Sequence, residues 1–366
     1  MNFASDNTAG AHPAILAAMA AANEGNEASY GEDRWSRRMT EALSDWFGAK
    51  VSVFPVATGG AANALALAVG AQALGIIEGA ANALALAQLA PPWSAVFCLE
   101  GSHIDVDECG APEFYSGGAK LVTAGPPGRL YTPADLEAAL LRHPRGVVHH
   151  VQPGAVSITQ ATECGLVYAP HEVAAIAAAA HKAGLKLHMD GARLANALAH
   201  LGCTPGEATW RAGVDVLSLG FTKTGAVAAE AVVFFDPALA EGFAYRRKRG
   251  GHLFSKSRFL AAQVLAMLEG DLWRQLAAAA NASATALAAV LTEAGAPPLY
   301  PVQANEVFAR LPARAAAALM REGARFYPWD ASRPETPLYR FVCPFATAAH
   351  EIETFAIRLK SSLAHP

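Results

Sequence analysis

Between about residue 50 and residue 235 the chain alternates short apolar runs with longer alanine-rich stretches of helical spacing. This alternation narrows the fold more than any other feature, because strand followed by helix, repeated, predicts a mainly parallel sheet with helices on both sides. Ligands of such sheets bind outside the carboxyl ends of the strands, so chemistry is sought first where each run ends.

Two runs end in reactive side chains. Leu185 to Met189 leads to Asp190, followed by Gly191, Ala192, Arg193 and the helical stretch LANALAHL. Val214 to Leu219 passes Ser218 and leads to Thr222 and Lys223, with Gly225 allowing a tight turn. A lysine among apolar and hydroxyl residues is poorly hydrated, so its ammonium pKa should fall and its amine become nucleophilic. Taken singly, such an Asp caps a helix and most lysines are solvated. Taken together they suit pyridoxal phosphate: Lys223 would hold the aldehyde as a Schiff base, and Asp190 would keep the ring nitrogen protonated.

The other strand ends add to this. In VSVFPVATGGAANALALA a strand meets a Gly-Gly turn and a helix, so Gly59, Gly60 and Ala61 form a phosphate cradle of backbone amides at a helix start. Neither GxGxxG spacing nor a Walker lysine is present, which argues against a dinucleotide or a nucleoside triphosphate. The segment GAANALALA occurs at 60–68 and again at 79–87, an offset of 79 − 60 = 19 residues. The cradle is assigned to the first copy, which follows an apolar strand; if the second copy has taken over, Gly79 and Ala80 replace it. The run VFCL ends near His103, where an imidazole either stacks on a cofactor ring or sits as a capped core residue. Asp105, Asp107 and Glu108 follow, but no His or Cys pattern completes a metal site. Val147 to Val151 reads as a strand with His149 and His150 on opposite faces, followed by a loop carrying Gln160, Thr162 and Glu163.

Composition sets the outer limits. Of 366 residues 53% are hydrophobic and 16% charged, which describes a folded chain, and a net charge of −4 offers no basic surface for nucleic acid. The cluster Arg246 to Arg249 with Lys256 fits a cationic loop that reaches a phosphate, in this or a neighbouring subunit. Five cysteines, an odd number without a C-x-x-C pair, point to reduced thiols and a cytoplasmic setting. No secretory signal is evident in MNFASDNTAG. The longest apolar tract, 61–93, is broken by polar residues and ends beyond Pro91-Pro92, so no membrane span is expected. From about Gly270 the pattern suggests a small α+β unit. Arg340, inside the apolar run YRFVCPF, either meets an anion or lies on the wet face of an edge strand.

FASDN, YGED, TGGAANALAL, EGSHI with ECGAPEFYSGGAKL, LHMDGARLANAL and LGFTKTG with AAEAV together resemble the L-threonine aldolase family, of the low-specificity or phenylserine type. The resemblance spans nearly the whole chain. It implies an α/β fold of the aspartate-aminotransferase-like fold type I, with an arm over 1–20, a large cofactor domain over 21–255 and a small C-terminal domain over 256–366. It implies retro-aldol cleavage of a β-hydroxy-α-amino acid to glycine and an aldehyde, with a β-eliminating lyase or aminotransferase as the alternative on the same fold. Lys223, Asp190 and His103 match catalytic positions, and Gly59, Gly60 and Ala61 match the phosphate loop, although the family commonly has Thr at the position of Gly60. Ser5, Tyr30, Arg193 and Arg340 match substrate-binding positions; Arg193, Lys248 and Lys256 match positions that reach the cofactor. Tyr30, Lys248 and Lys256 would act across the interface of a homodimer or homotetramer. The proton acceptor for the β-hydroxyl stays open between His103 and an ordered water.

Overall fold

The computed structural model describes residues 1–56 and 80–364, so Gly59, Gly60 and Ala61 lie outside the described residues. Seven strands form the large sheet: β1 (Ser52–Val56), β2 (Ser94–Cys98), β3 (Lys120–Thr123), β4 (Gln152–Thr159), β5 (Lys186–Gly191), β6 (Val216–Gly220) and β7 (Glu230–Phe234). Their order is β1-β7-β6-β5-β4-β2-β3. From β6 through β3 every pairing is parallel, and only β7 runs antiparallel to its neighbours β6 and β1. Strands β2, β6 and β7 are buried along their whole length, which is why they read as unbroken apolar runs without alternation.

Alternation of side chains gives the sheet two faces. Phe97, Val156, Ile158, Leu187, Met189, Leu217 and Val233 share a core with the helices Arg34–Phe47, Pro133–Arg142, Pro170–Lys182 and Arg258–Leu268. On the opposite face Val216, Val232 and Phe234 pack against the helix Ala80–Leu89. That helix carries the second copy of the repeat. Its small side chains, Ala81, Ala83, Ala85 and Ala87, are all buried, so an almost wholly apolar helix can lie close against β4 to β7. His188 and Asp190, two apart on β5, lie on this same face.

The second unit is an antiparallel sheet of β8 (Glu306–Arg310), β9 (Tyr327–Asp330) and β10 (Leu338–Val342), in the order β8-β10-β9. Helices Ala313–Arg321 and Ala349–Ala364 pack together beside it. The N-terminal arm is stitched into this unit: Phe3 N–H donates to Arg325 O at 2.8 Å, Val342 N–H donates to Phe3 O at 2.8 Å, and the Phe3 ring is fully buried against Phe355. Arg258–Glu293 is long and apolar enough to cross a membrane, yet it kinks at Gly270 and its buried side chains serve the two cores. Trp273, Leu276 and Ala277 join the large core, and Ala284, Leu287 and Leu291 the small one, so the two cores meet within this helix.

One expected strand is absent. Val147 to His150 form an exposed turn, with Val148 94% exposed, and β4 starts only at Gln152. Gly146 enters this turn at φ +87°, and Gln152 ties it shut by accepting from Gly146 N–H at 2.7 Å and donating to Val147 O and His150 O at 3.0 Å. The valines that suggested a strand are thus looped out by a glycine and a glutamine.

Excising residues 60–78 joins Gly59 to Gly79 and regenerates the sequence TGGAANALALA, leaving four residues between β1 and the helix, a usual length for such a connection. The shortened protein is expected to keep its circular dichroism and its melting temperature within about 3 °C. An unfolded or aggregated product would show that the first copy is needed.

Candidate active site

Four parallel strands and the antiparallel one deliver their ends to one place. His103 follows β2, Glu163 follows β4, Asp190 ends β5, Thr222 and Lys223 follow β6, and Glu230 opens β7. With Asn82, Arg193 and Ser218 they line a cavity of about 430 Å³. Lys223 and Asp190 therefore share a single chamber, as the strand-end argument expects. In the sheet register Thr159, Asp190 and Ser218 stand side by side on β4, β5 and β6.

Asp190 is held from two sides. Its Oδ1 accepts from Ala192 N–H at 2.9 Å and its Oδ2 accepts from Asn82 Nδ2 at 2.7 Å, which leaves lone pairs for a third donor. Beneath it His188 is clasped between Ser157 Oγ and Ser218 Oγ, each at 2.9 Å, and burial lowers its pKa to about 4. Asn82 Nδ2 also donates to Glu108 Oε1 at 2.8 Å, and Glu108 Oε1 lies 3.0 Å from His103 Nδ1. Burial raises the Glu108 carboxyl pKa; it works to lower that of His103, but the Glu108 contact outweighs it and holds the imidazole above its usual value. The 3.0 Å contact places one hydrogen bond between Nδ1 and Oε1, its donor set by the imidazole tautomer. His103, Glu108 and Asp190 also bring three possible metal ligands within 4.8 Å of one another. Asn82 bridges the two carboxylates and Glu108 Oε1 engages the imidazole, while Asn82 Oδ1 and Glu108 Oε2 have no hydrogen-bond partner among the described residues.

A second cavity of about 420 Å³ adjoins the first, sharing Asn7, His103, Glu163, Arg193 and Lys223, and adds Ser5, Glu306 and Arg340. Ser5 Oγ caps the short turn Asp6–Thr8 by accepting from Asn7 N–H at 3.1 Å. That turn carries Asp6 to Arg193, whose Nε donates at 2.8 Å and Nη2 at 3.2 Å. Burial would raise the Asp6 pKa, but Arg193 and Lys223 prevail and hold it below the usual carboxylate value. Arg340 comes from β10, its guanidinium 5.1 Å from the Trp329 ring centre and its buried Nε without a hydrogen-bond partner among the described residues. The anion-seeking alternative for Arg340 thus has a cavity to serve.

A third cavity of about 480 Å³ continues past Asp107, Glu163 and Trp329 towards Tyr300 and Leu338. Tyr30, Lys248 and Lys256 do not line these cavities. Tyr30 is 49% exposed, with Lys248 Nζ 5.2 Å from its ring and its N–H bonded to Ser255 O. Asn82, Glu108, Glu230 and Glu306 were not singled out from the sequence as site residues. The cavity, its carboxylate with lone pairs to spare and its lysine fit pyridoxal phosphate.

Glu230 is fully buried, and burial lifts its pKa from 4.5 to about 7 despite Thr222 and Lys223. A raised carboxyl binds its proton more tightly in the folded state, so stability is lost as pH rises from about 4.5 to about 7. Glu230→Gln should remove that loss, on the order of 3 kcal/mol, from the pH dependence of urea unfolding of the cofactor-free protein. An unchanged pH dependence would contradict the assignment.

Known proteins resemble this chain along nearly its whole length. The family model described as beta-eliminating lyase matches residues 2–313. A low specificity L-threonine aldolase of Pseudomonas sp. (strain NCIMB 10558) is 41% identical over 98% of this chain and 97% of its own. Another, from Pseudomonas aeruginosa, is 41% identical over 97% of this chain and 95% of its own. Among solved structures, a threonine aldolase of Leishmania major superposes with a TM-score of 0.87 at 28% identity, covering 98% of both chains. A serine palmitoyltransferase of Sphingomonas wittichii, at 16% identity and TM-score 0.70 over 99% of this chain and 86% of its own, shares the fold. With its seven-stranded sheet and the lysine and carboxylate facing one chamber, the chain belongs to the beta-eliminating lyase family.

Proposed function

We propose that the protein is a low-specificity L-threonine aldolase, a carbon-carbon lyase that cleaves β-hydroxy-α-amino acids to glycine and an aldehyde. The observation that carries this reading is the shared chamber of Lys223 and Asp190, open to a second cavity lined by Arg193 and Arg340. Pyridoxal phosphate, when bound, supplies the electron sink that makes cleavage beside Cα possible.

The chain's own residues do the rest. Lys223 would hold the cofactor's aldehyde through its amine, and Asp190, already accepting from Ala192 and Asn82, would accept a further hydrogen bond from its ring nitrogen. His103, oriented by its 3.0 Å contact with Glu108, would lie against the ring. Arg340, with Arg193, orients the substrate carboxylate by guanidinium hydrogen bonds. Two acceptors line both cavities and suit the β-hydroxyl proton: the His103 imidazole and the Glu163 carboxyl. Glu163 Oε1 accepts from His103 N–H at 2.8 Å and Thr159 Oγ1 at 2.9 Å, and burial raises its pKa. The cavity running towards Tyr300 gives the Cβ substituent room, in keeping with loose aldehyde specificity.

Tyr30, Lys248 and Lys256, outside the chamber and at the surface, support a homo-oligomer in which they complete a neighbouring site. Free thiols at Cys98, Cys109, Cys164, Cys203 and Cys343 support a reducing compartment such as the cytoplasm.

Incubated with L-threonine, the purified holoenzyme should yield glycine and acetaldehyde in equal amounts. Lys223→Ala should abolish the visible imine absorbance and lower kcat on the order of 10⁴-fold. Ammonia and a keto acid in place of the aldehyde would assign the protein to elimination instead.

A further inference from the structure

The second cavity contains an acid that the aldolase reading does not use. Glu306, at the start of β8, is 2% exposed, and neither carboxyl oxygen takes a hydrogen bond among the described residues. Its Oε1 lies 3.5 Å from Arg193 Nη1, the remaining reach of a guanidinium already engaged by Asp6. In the small sheet Glu306 pairs with Val342 and Phe308 with Arg340, so Glu306 and Arg340 share one face of that sheet. The two acids beside Arg193 thus differ. Asp6 receives hydrogen bonds from Arg193 and Asn305, whereas Glu306 receives none.

The substrate carboxylate is assigned to the same space, between Arg193 and Arg340, and would arrive beside a carboxyl that takes no hydrogen bond among the described residues and meets Arg193 only at 3.5 Å. Two carboxylates confined together with few donors cannot both stay ionised at low cost. A neutral Glu306 removes the repulsion and turns its O–H into a donor for the incoming oxygen.

We propose that Glu306 is a substrate-binding residue, which must be protonated for a substrate carboxylate to seat between Arg193 and Arg340, so that binding takes up one proton there. The inference rests on those two arginines being the carboxylate site. Its surroundings agree: burial pushes the Glu306 carboxyl up, and Arg193 and Arg340 only partly offset this. The charged and titratable groups about it come from every neighbouring element: Asp6 on the arm, Cys164 and Glu163 after β4, Arg193 after β5, Lys223 after β6 and Arg340 on β10. His103 and Asp107 line the same cavity. At high pH the ionised Glu306 competes for Arg193, and affinity for any α-amino acid drops.

The test is the glycine Kd of the holoenzyme, read from its visible spectrum between about pH 6 and about pH 9, for wild type and for Glu306→Gln. The variant mimics the protonated acid, and titration of the glycine amine cancels in the ratio of the two constants. The ratio of wild type to variant should climb about tenfold per pH unit above the Glu306 pKa. A ratio independent of pH would overturn the proposal. Glu306→Ala gives the same comparison if the glutamine variant fails to fold. Arg340→Gln, made in parallel, should weaken glycine about tenfold or more. If it does not, the carboxylate site itself is misassigned and the proposal goes with it; a strong Arg340 effect beside a flat ratio removes the role of Glu306 alone.

Discussion

The structure depends on satisfying one buried carboxyl group with hydrogen bonds. Asp190 sits on the middle strand of a parallel sheet, and Asn82 and Ala192 N–H keep it from being an unsolvated charge. Asn82 reaches it only because the helix Ala80–Leu89 is built of alanine and leucine and packs close to the sheet. The helix, the strand order and the cluster with Glu108 and His103 can all be understood as support for that one group.

The same logic extends to the arginine side with a different outcome. Asp6 reaches Arg193 from the far end of the chain, carried by an arm sewn into the small unit through Phe3. Three parts of the molecule therefore converge on one guanidinium: the arm, the turn after β5, and Glu306 at the start of β8. A buried arginine flanked by two acids sets one positive charge against two carboxyl groups, which makes the placement of a further anion sensitive to a single proton.

How much of this was legible in the sequence follows from what each signal depends on. Asp190, Lys223 and His103 could be found because apolar runs mark strands and strand ends mark the crevice, both properties of a few consecutive residues. Val147 to Val151 misled because its valines favour strands locally, while the bonds from Gln152 that close the turn lie outside the run. Asn82 gave no signal and Glu108 only that of a possible metal ligand, since an asparagine in an alanine-rich helix and a glutamate after a short helix acquire their shared role only when folding sets them 2.8 Å apart. Glu306 was hidden in the same way at the head of an ordinary strand. For the repeat, the sequence favoured the first copy for the cradle, which lies outside the described residues, while Asn82 of the second copy meets Asp190.

The histidine clasped by two serines under Asp190 has an electrical consequence. With a pKa near 4 it carries no charge at neutral pH, although it lies two residues from a carboxylate that would attract its proton. The floor of the chamber is thus polar enough to be hydrogen-bonded yet electrically silent. A neutral His188 therefore adds no charge of its own beside the Asp190 carboxyl.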